Sequence, residues 1–173
     1  GCSEPDESSS LEMRVFGKFG AQALVMGDKY PYFDGSQIFF TKSEFFLSEV
    51  AVKNDKGQWV NLTDVNFVNL QNHHFNLENA QKGYPLKLGR IPEGNYTSIR
   101  FGVGVPSRIN SRSPKDFPAS SPLSQGDHYC AGWDSYIFSK TEGVLSDGNQ
   151  MANFAYHSGF DSVYQVKEYP ISL

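Results

Sequence analysis

Apolar and polar residues alternate with a period of two in short runs along most of the chain, starting at Met13-Arg14-Val15-Phe16-Gly17-Lys18-Phe19. Such alternation marks strands with one buried face. Similar runs follow at Ala23 to Met26, Gln37 to Lys42, Glu44 to Val52, Gln58 to Leu62, Leu86 to Leu88, Tyr96 to Val105, Trp133 to Lys140, Met151 to His157 and Ser162 to Val166. The breaks between them carry turn chemistry: Asp34-Gly35, Asn54-Asp55-Lys56-Gly57, Pro92-Glu93-Gly94-Asn95 and Asp147-Gly148. Only Phe75 to Lys82 has a helical look, two turns at most, and Asn66 to Leu77 fits neither period. Asn110 to Gln125 is dominated by Ser, Pro and charge and is predicted to be a long surface loop. The pattern predicts an all-β fold, an antiparallel β-sandwich of immunoglobulin-like or Greek-key type with little helix.

Composition supports strands. Aromatics make up 14% of the 173 residues, with 14 Phe and 9 Tyr, and such side chains fit a pleated, half-buried surface. A chain of this length holds one domain with a substantial core. The net charge of −4 is uneven: Glu4, Asp6 and Glu7 stand in residues 1–10 without a Lys or Arg, which leaves −1 on the rest. No basic cluster with interleaved aromatics occurs, so no nucleic-acid partner is expected. No run approaches the ~20 apolar residues of a spanning helix.

Residues 1–10 are polar and acidic and read as a tether, with the folded domain over 11–173. Cys2 at the head of that tether looks like the lipidated first residue of an exported bacterial lipoprotein, with an acidic run after it that resembles surface-export signals. The plainer alternative is an ordinary polar terminus with an accidental cysteine. With Cys2 committed to lipid, Cys130 has no partner and no disulfide is expected. The implied location is the cell envelope: an outer-membrane anchor, with the domain in the periplasm or on the cell surface.

Catalytic motifs are mostly absent. Gly102-Val103-Gly104-Val105-Pro106-Ser107 begins like a dinucleotide loop, but the third Gly is missing and Pro106 interrupts the place of the helix. No Gly-x-Ser-x-Gly elbow, phosphate loop or His-Glu-x-x-His occurs, and no enzyme is expected. Metal-ligand candidates are few. His73 and His74, if on a strand, point to opposite faces and cannot share an ion. His128 and Cys130, two apart, would share a face, and imidazole with thiolate suits a soft metal. Equally, Cys130 beside Tyr129 and Ala131 reads as a small buried hydrophobe. His157, set in Phe154-Ala155-Tyr156-His157-Ser158-Gly159-Phe160, reads as a satisfied core histidine or a ligand.

Four segments, in order, resemble the MbnP-like family of methanobactin-associated copper-binding proteins. Tyr30, Gly35 and Phe45-Phe46-Leu47-Ser48-Glu49-Val50 are similar to its "Tyr, Gly, then Tyr-Tyr-Ile-Ser-Asn-Ile" hairpin. Ile91-Pro92-Glu93-Gly94-Asn95-Tyr96 is similar to its "Val-Pro-x-Gly-x-Tyr". Trp133 followed by Tyr136-Ile137-Phe138-Ser139-Lys140-Thr141-Glu142-Gly143 resembles its "Trp, Gly-Tyr, Lys-x-Glu-Gly". Phe154-Ala155-Tyr156-His157-Ser158-Gly159 resembles its "Phe-x-x-His-x-Gly". The resemblance implies a periplasmic or surface β-sandwich that in some members binds copper through His and an oxidised Trp, which places His157 as ligand and Trp133 as the family tryptophan. It also implies strands beyond Leu173, so the chain is read as C-terminally incomplete, with an exposed sheet edge near its end.

Two functions are therefore expected. In one, a lipid-anchored protein holds copper on His157, assisted by His128 and Cys130 near Trp133, and meets a redox or transport protein. In the other, a non-catalytic surface module binds a protein or glycan through its aromatics and the Asn110 to Gln125 loop. Convergence of His128, Cys130 and His157 on one point separates them.

Overall fold

A computed structural model describes residues 8–173, and the described residues form twelve strands. They are β1 (Ser8–Val15), β2 (Lys18–Phe19), β3 (Gln22–Ala23), β4 (Tyr30–Pro31), β5 (Gln37–Asn54), β6 (Trp59–Asn69), β7 (Tyr84–Pro92), β8 (Tyr96–Val103), β9 (Tyr129–Cys130), β10 (Ser135–Ser146), β11 (Met151–Gly159) and β12 (Gln165–Pro170). Two short helices interrupt them, α1 (Leu77–Lys82) and α2 (Ser107–Asn110). Local chemistry sets the connections. Asn54 Oδ1 accepts from the Lys56 and Gln58 amides at 3.0 and 2.9 Å and closes the β5–β6 turn. Asp147 Oδ1 does the same for Asn149 and Gln150 between β10 and β11. The Asn76 side chain caps α1 by accepting from the Asn79 amide, and Gly83, at φ 75°, ends it.

The two runs predicted at Gln37–Lys42 and Glu44–Val52 are one 18-residue strand, β5, and the main sheet is built around it. The order is β11-β10-β5-β8-β12, every pairing antiparallel. Phe45 is paired with both Ser139 of β10 and Val68 of β6, and Leu47 with both Val103 of β8 and Asn66 of β6, so β6 lies along the opposite edge of β5 from β10 and β8. The segment left ambiguous at Asn66 thus belongs to β6 as far as Asn69.

Both faces of the β5 region are covered. On one, Leu47, Val50 and Val68 pack under the β1–β7 ribbon with Leu86 and Leu88, which makes the second layer of the sandwich. On the other, Phe46 joins Val105, Ile109, Leu123, Tyr136 and Phe138. That second face corrects the expectation of a surface loop at Asn110–Gln125. Asn110 is 5% and Leu123 2% exposed. The Leu123 carbonyl accepts from the Tyr136 hydroxyl at 2.8 Å, and Asn110 Oδ1 accepts from the Tyr136 amide at 2.8 Å. Burial pushes the Tyr136 phenol up to about 12. The Ser/Pro composition reflects three-residue turns at Pro114–Asp116 and Pro122–Ser124 that let the segment hug the sheet.

Glu49 sits at the pivot of β5. Between the pairs Ser48–Gly102 and Ala51–Arg100, β5 has two residues, Glu49 and Val50, against the single Phe101 of β8, and Glu49 has φ 53°. This one extra residue puts Val50 and Val52 on the same side as Leu47, because side chains otherwise alternate strictly. Asn, which the family pattern carries there, enters that left-handed region more easily than Glu.

Other boundaries also shift. β1 begins at Ser8, inside the expected tether, and Arg90 donates to the Ser8 hydroxyl at 2.7 Å. Ser162 and Val163 lie in a turn rather than a strand. Among the described residues β12 pairs with β8 alone and is exposed along its length, the expected edge near the C-terminus. His73 and His74 occupy a turn, not a strand, so the opposite-face argument does not apply to them. Their Nδ1 atoms lie 3.1 Å apart, and buried His74 accepts from the Gly17 amide on Nε2 at 3.1 Å. The proton of His74 is therefore on Nδ1 and its neutral ring is a structural tie.

Two outcomes follow from these positions. Deleting Glu49 turns Val50 and Val52 to the wrong face; at roughly 1.5–3 kcal/mol for each buried side chain against a total of about 5–15 kcal/mol, the expected product is an unfolded or insoluble chain, whereas Glu49→Gly keeps a cooperative urea transition. His74 has its pKa lowered from 6.5 by burial and by His73, so below that value the unfolded chain takes up a proton that the folded one resists. Stability should fall as pH drops below 6.5. His74→Ala should reduce that slope, leaving the part due to His128, and cost about 2–4 kcal/mol at pH 7.5 through the lost ring and the unpaired Gly17 amide.

Candidate functional site

β10 carries Lys140 and Glu142 on one face, two residues apart, and its registers decide what they meet. Lys140 is paired with His157 of β11 on one side and with Glu44 of β5 on the other. Glu142 is paired with Lys42 of β5. The result is a charged strip across three strands rather than one cluster.

At its outer end His157 Nε2 lies 2.8 Å from Glu142 Oε1. A carboxylate only accepts, so Nε2 is the donor in this contact. The His157 hydrogen bond and Lys42, 3.3 Å away, hold the Glu142 carboxyl below its usual value. His157 is not a core histidine: its side chain is 33% exposed.

At the inner end Glu44, 6% exposed, accepts from Gln71 Nε2 at 2.6 Å and faces His128 Nδ1 at 3.6 Å and Lys140 Nζ at 3.8 Å. The Lys140 ammonium donates to the Asp127 carbonyl at 2.6 Å. His128 also packs against the Phe67 ring at 4.3 Å. Burial lowers its pKa in spite of Glu44, so a neutral ring is favoured.

These positions correct the three-ligand expectation. Two strand spacings of ~4.8 Å separate the His157 and Glu44 backbones, and the Lys140 cation stands between them. His128 ends a turn at Gly126–His128 while Cys130 lies in β9, so their two-residue spacing does not place them on one strand face. Cys130 is half-buried and its backbone is paired with Ser135. Among the described residues no group of three or more His, Cys, Asp or Glu could hold a metal ion. The set His157, His128 and Cys130 does not fit copper as a joint site. His157 alone does fit as a ligand, because metal-bound imidazoles commonly donate their other N–H to a carboxylate, which fixes the tautomer.

Trp133 lies outside the strand predicted for it, in a turn in which its amide donates to the Cys130 carbonyl at 3.0 Å. Its ring stacks on Phe160 at 5.0 Å and 33°. A Cβ on Gly159 would meet that ring at 3.4 Å, so Trp133 covers the end of β11 two residues from His157. Trp133 and Phe160 remain 39% and 46% exposed. Sequence reasoning missed Glu142 as the partner of His157, although it sits in the quoted Lys-x-Glu-Gly stretch. The β10–β11 register makes the pair, and no local pattern reports it. Cys2 lies outside the described residues.

Comparison with known proteins fits this architecture. The solved structure of MbnP from Methylosinus trichosporium superposes with a TM-score of 0.66 over 95% of this chain and 71% of that one, at 11% identity, a likeness of fold. Comparison with curated proteins finds no match. The MbnP family model matches residues 8–173, essentially the whole sandwich. The chain belongs to the MbnP family.

Proposed function

We propose that this protein binds copper in the bacterial cell envelope, taking the ion on Nδ1 of His157 beside Trp133, and is held to the membrane by lipid on Cys2. The observation that carries the reading is the Glu142–His157 pair, which fixes Nε2 on the carboxylate and leaves the exposed side of the ring, with Nδ1, on the strand whose end Trp133 covers. Imidazole suits copper in either oxidation state, and the bound ion would supply electron-transfer chemistry. Glu142 orients the ring and raises its basicity. Lys42 and Lys140 flank the carboxylates, which disfavours a purely carboxylate-bound cation there. The protein acts by binding rather than catalysis, and its partner is a redox or transport protein that reaches the exposed Trp133.

A second reading is an interaction module. β11 pairs only with β10 among the described residues, and Met151 and Tyr156 are each 68% exposed. An edge without Lys, Glu, Asp or Pro is open to strand addition. On this reading β11, rather than the pinned Asn110–Gln125 segment, meets the partner.

Titrating metal-stripped protein with Cu(I) and Cu(II), read by native mass spectrometry, should show one copper per chain. His157→Ala should lose it, while His128→Ala and Cys130→Ser keep it. No uptake, or uptake untouched by His157→Ala, sinks the proposal in favour of the interaction module. Lipidation is checked separately. Labelled palmitate fed to cells producing the chain behind a lipoprotein leader should enter the protein and be lost with Cys2→Ser; an unlabelled, fully soluble product would show an ordinary terminus.

A further inference from the structure

The bulged Glu49 opens onto a cavity of about 290 Å³ among β5, β6, β8 and β12, toward the opposite end of the strand order from β11 and His157, close to the lower bound of the roughly 300–1,000 Å³ usual for ligand clefts. Four separate parts of the chain build it. β5 contributes Glu49, β6 Asn61 and Thr63, β8 Arg100 and Phe101, and the segment from α2 to β12 Arg108 and Tyr164. Glu49 accepts from Arg108 at 2.9 Å through one oxygen and from the Tyr164 hydroxyl at 2.9 Å through the other. Burial, then the Glu49 carboxylate, pushes the Tyr164 phenol up, so it stays a donor. A Cβ on Gly102 would collide with the Tyr164 hydroxyl, so only glycine admits that ring. A non-glycine residue held at φ 53° costs free energy, and such strain concentrates at functional sites.

The charges indicate the ligand class. Glu49 and the rim residue Asp64 balance Arg100 and Arg108, and the arginines are already engaged: Arg108 with Glu49, Arg100 over the Trp59 ring at 4.2 Å. Two carboxylates and two guanidiniums give the lining no net charge that would select an anion or a metal ion. What remains is a mixed set of donors and acceptors, Asn61, Thr63, Glu49 and Arg108, with Val166 beside them. Hydroxyl groups, which both donate and accept, match such a rim, and the C–H face of a sugar ring can rest on Val166. We infer that this cavity, formed where the β5 bulge meets Arg108 and Tyr164, binds a neutral hydroxyl-rich ligand, a single sugar unit of a glycan. The site is independent of His157 and of copper.

Saturation-transfer NMR on the folded chain with D-glucose, D-galactose, D-mannose and N-acetyl-D-glucosamine, and with inorganic phosphate observed by its own line broadening, tests the inference. At least one sugar should give signal and phosphate none, and the affinity should fall about 10-fold or more in both Arg108→Gln and Asn61→Ala. Asn61 is exposed and takes no part in the Glu49 ion pair, so its variant keeps the fold if Arg108→Gln does not. Silence from all four sugars, binding of phosphate in their place, or sugar binding unchanged in Asn61→Ala each overturns it.

Discussion

The structure depends on one extra residue in one strand. β5 is buried on both faces, and its side chains must serve two cores: Leu47, Val50 and Val52 under the β1–β7 ribbon, Phe46 and Ala51 on the other side. Strict alternation over 18 residues cannot also follow the twist that carries β5 from β10 to β8. The bulge at Glu49 absorbs the mismatch, just past the point where the strand changes neighbours, from Ser139 opposite Phe45 to Val103 opposite Leu47. Gly102 and Gly104, which open a sequence resembling a dinucleotide loop, serve this junction instead: one admits Tyr164, the other, at φ 104°, lies against Phe138.

The same registers distribute the charged groups. Lys140 faces Glu44 and His157 at once, and its ammonium is drawn to Glu44 and the Asp127 carbonyl. A buried carboxylate without such partners would be costly. Glu44 is therefore committed to holding the Gly126–His128 turn against the sheet, with His128 as part of that contact. Glu142, one pair of residues further along, is left for His157 and Lys42. A single strand thus separates the more buried His128 from the more exposed His157.

Membership of the MbnP family rests on the whole sandwich, while the particular site rests on few side chains. At 11% identity to the Methylosinus protein, what is shared is the path of the chain. Among the departures from the quoted family pattern are Glu49 for Asn at the bulge and Ser135 for the Gly before Tyr136. The first gains an ion pair with Arg108.

Local signals were legible from residue order alone. Period-two alternation marked most strands, Asn54 and Asp147 marked the turns they close, and the Phe75–Lys82 segment held the short helix α1. These features depend on neighbours within a few residues, where side-chain chemistry and backbone preference act directly. The ordered segments that resemble the family also carried the fold. Residue order did not show that Asn110–Gln125 closes a core, because Leu123 and Asn110 are buried by Tyr136, reached only through the sheet. Nor did it separate His157 from His128, or pair His157 with Glu142. Those outcomes follow from strand register, and register is set by long-range packing on both faces of β5, which no stretch of sequence holds by itself.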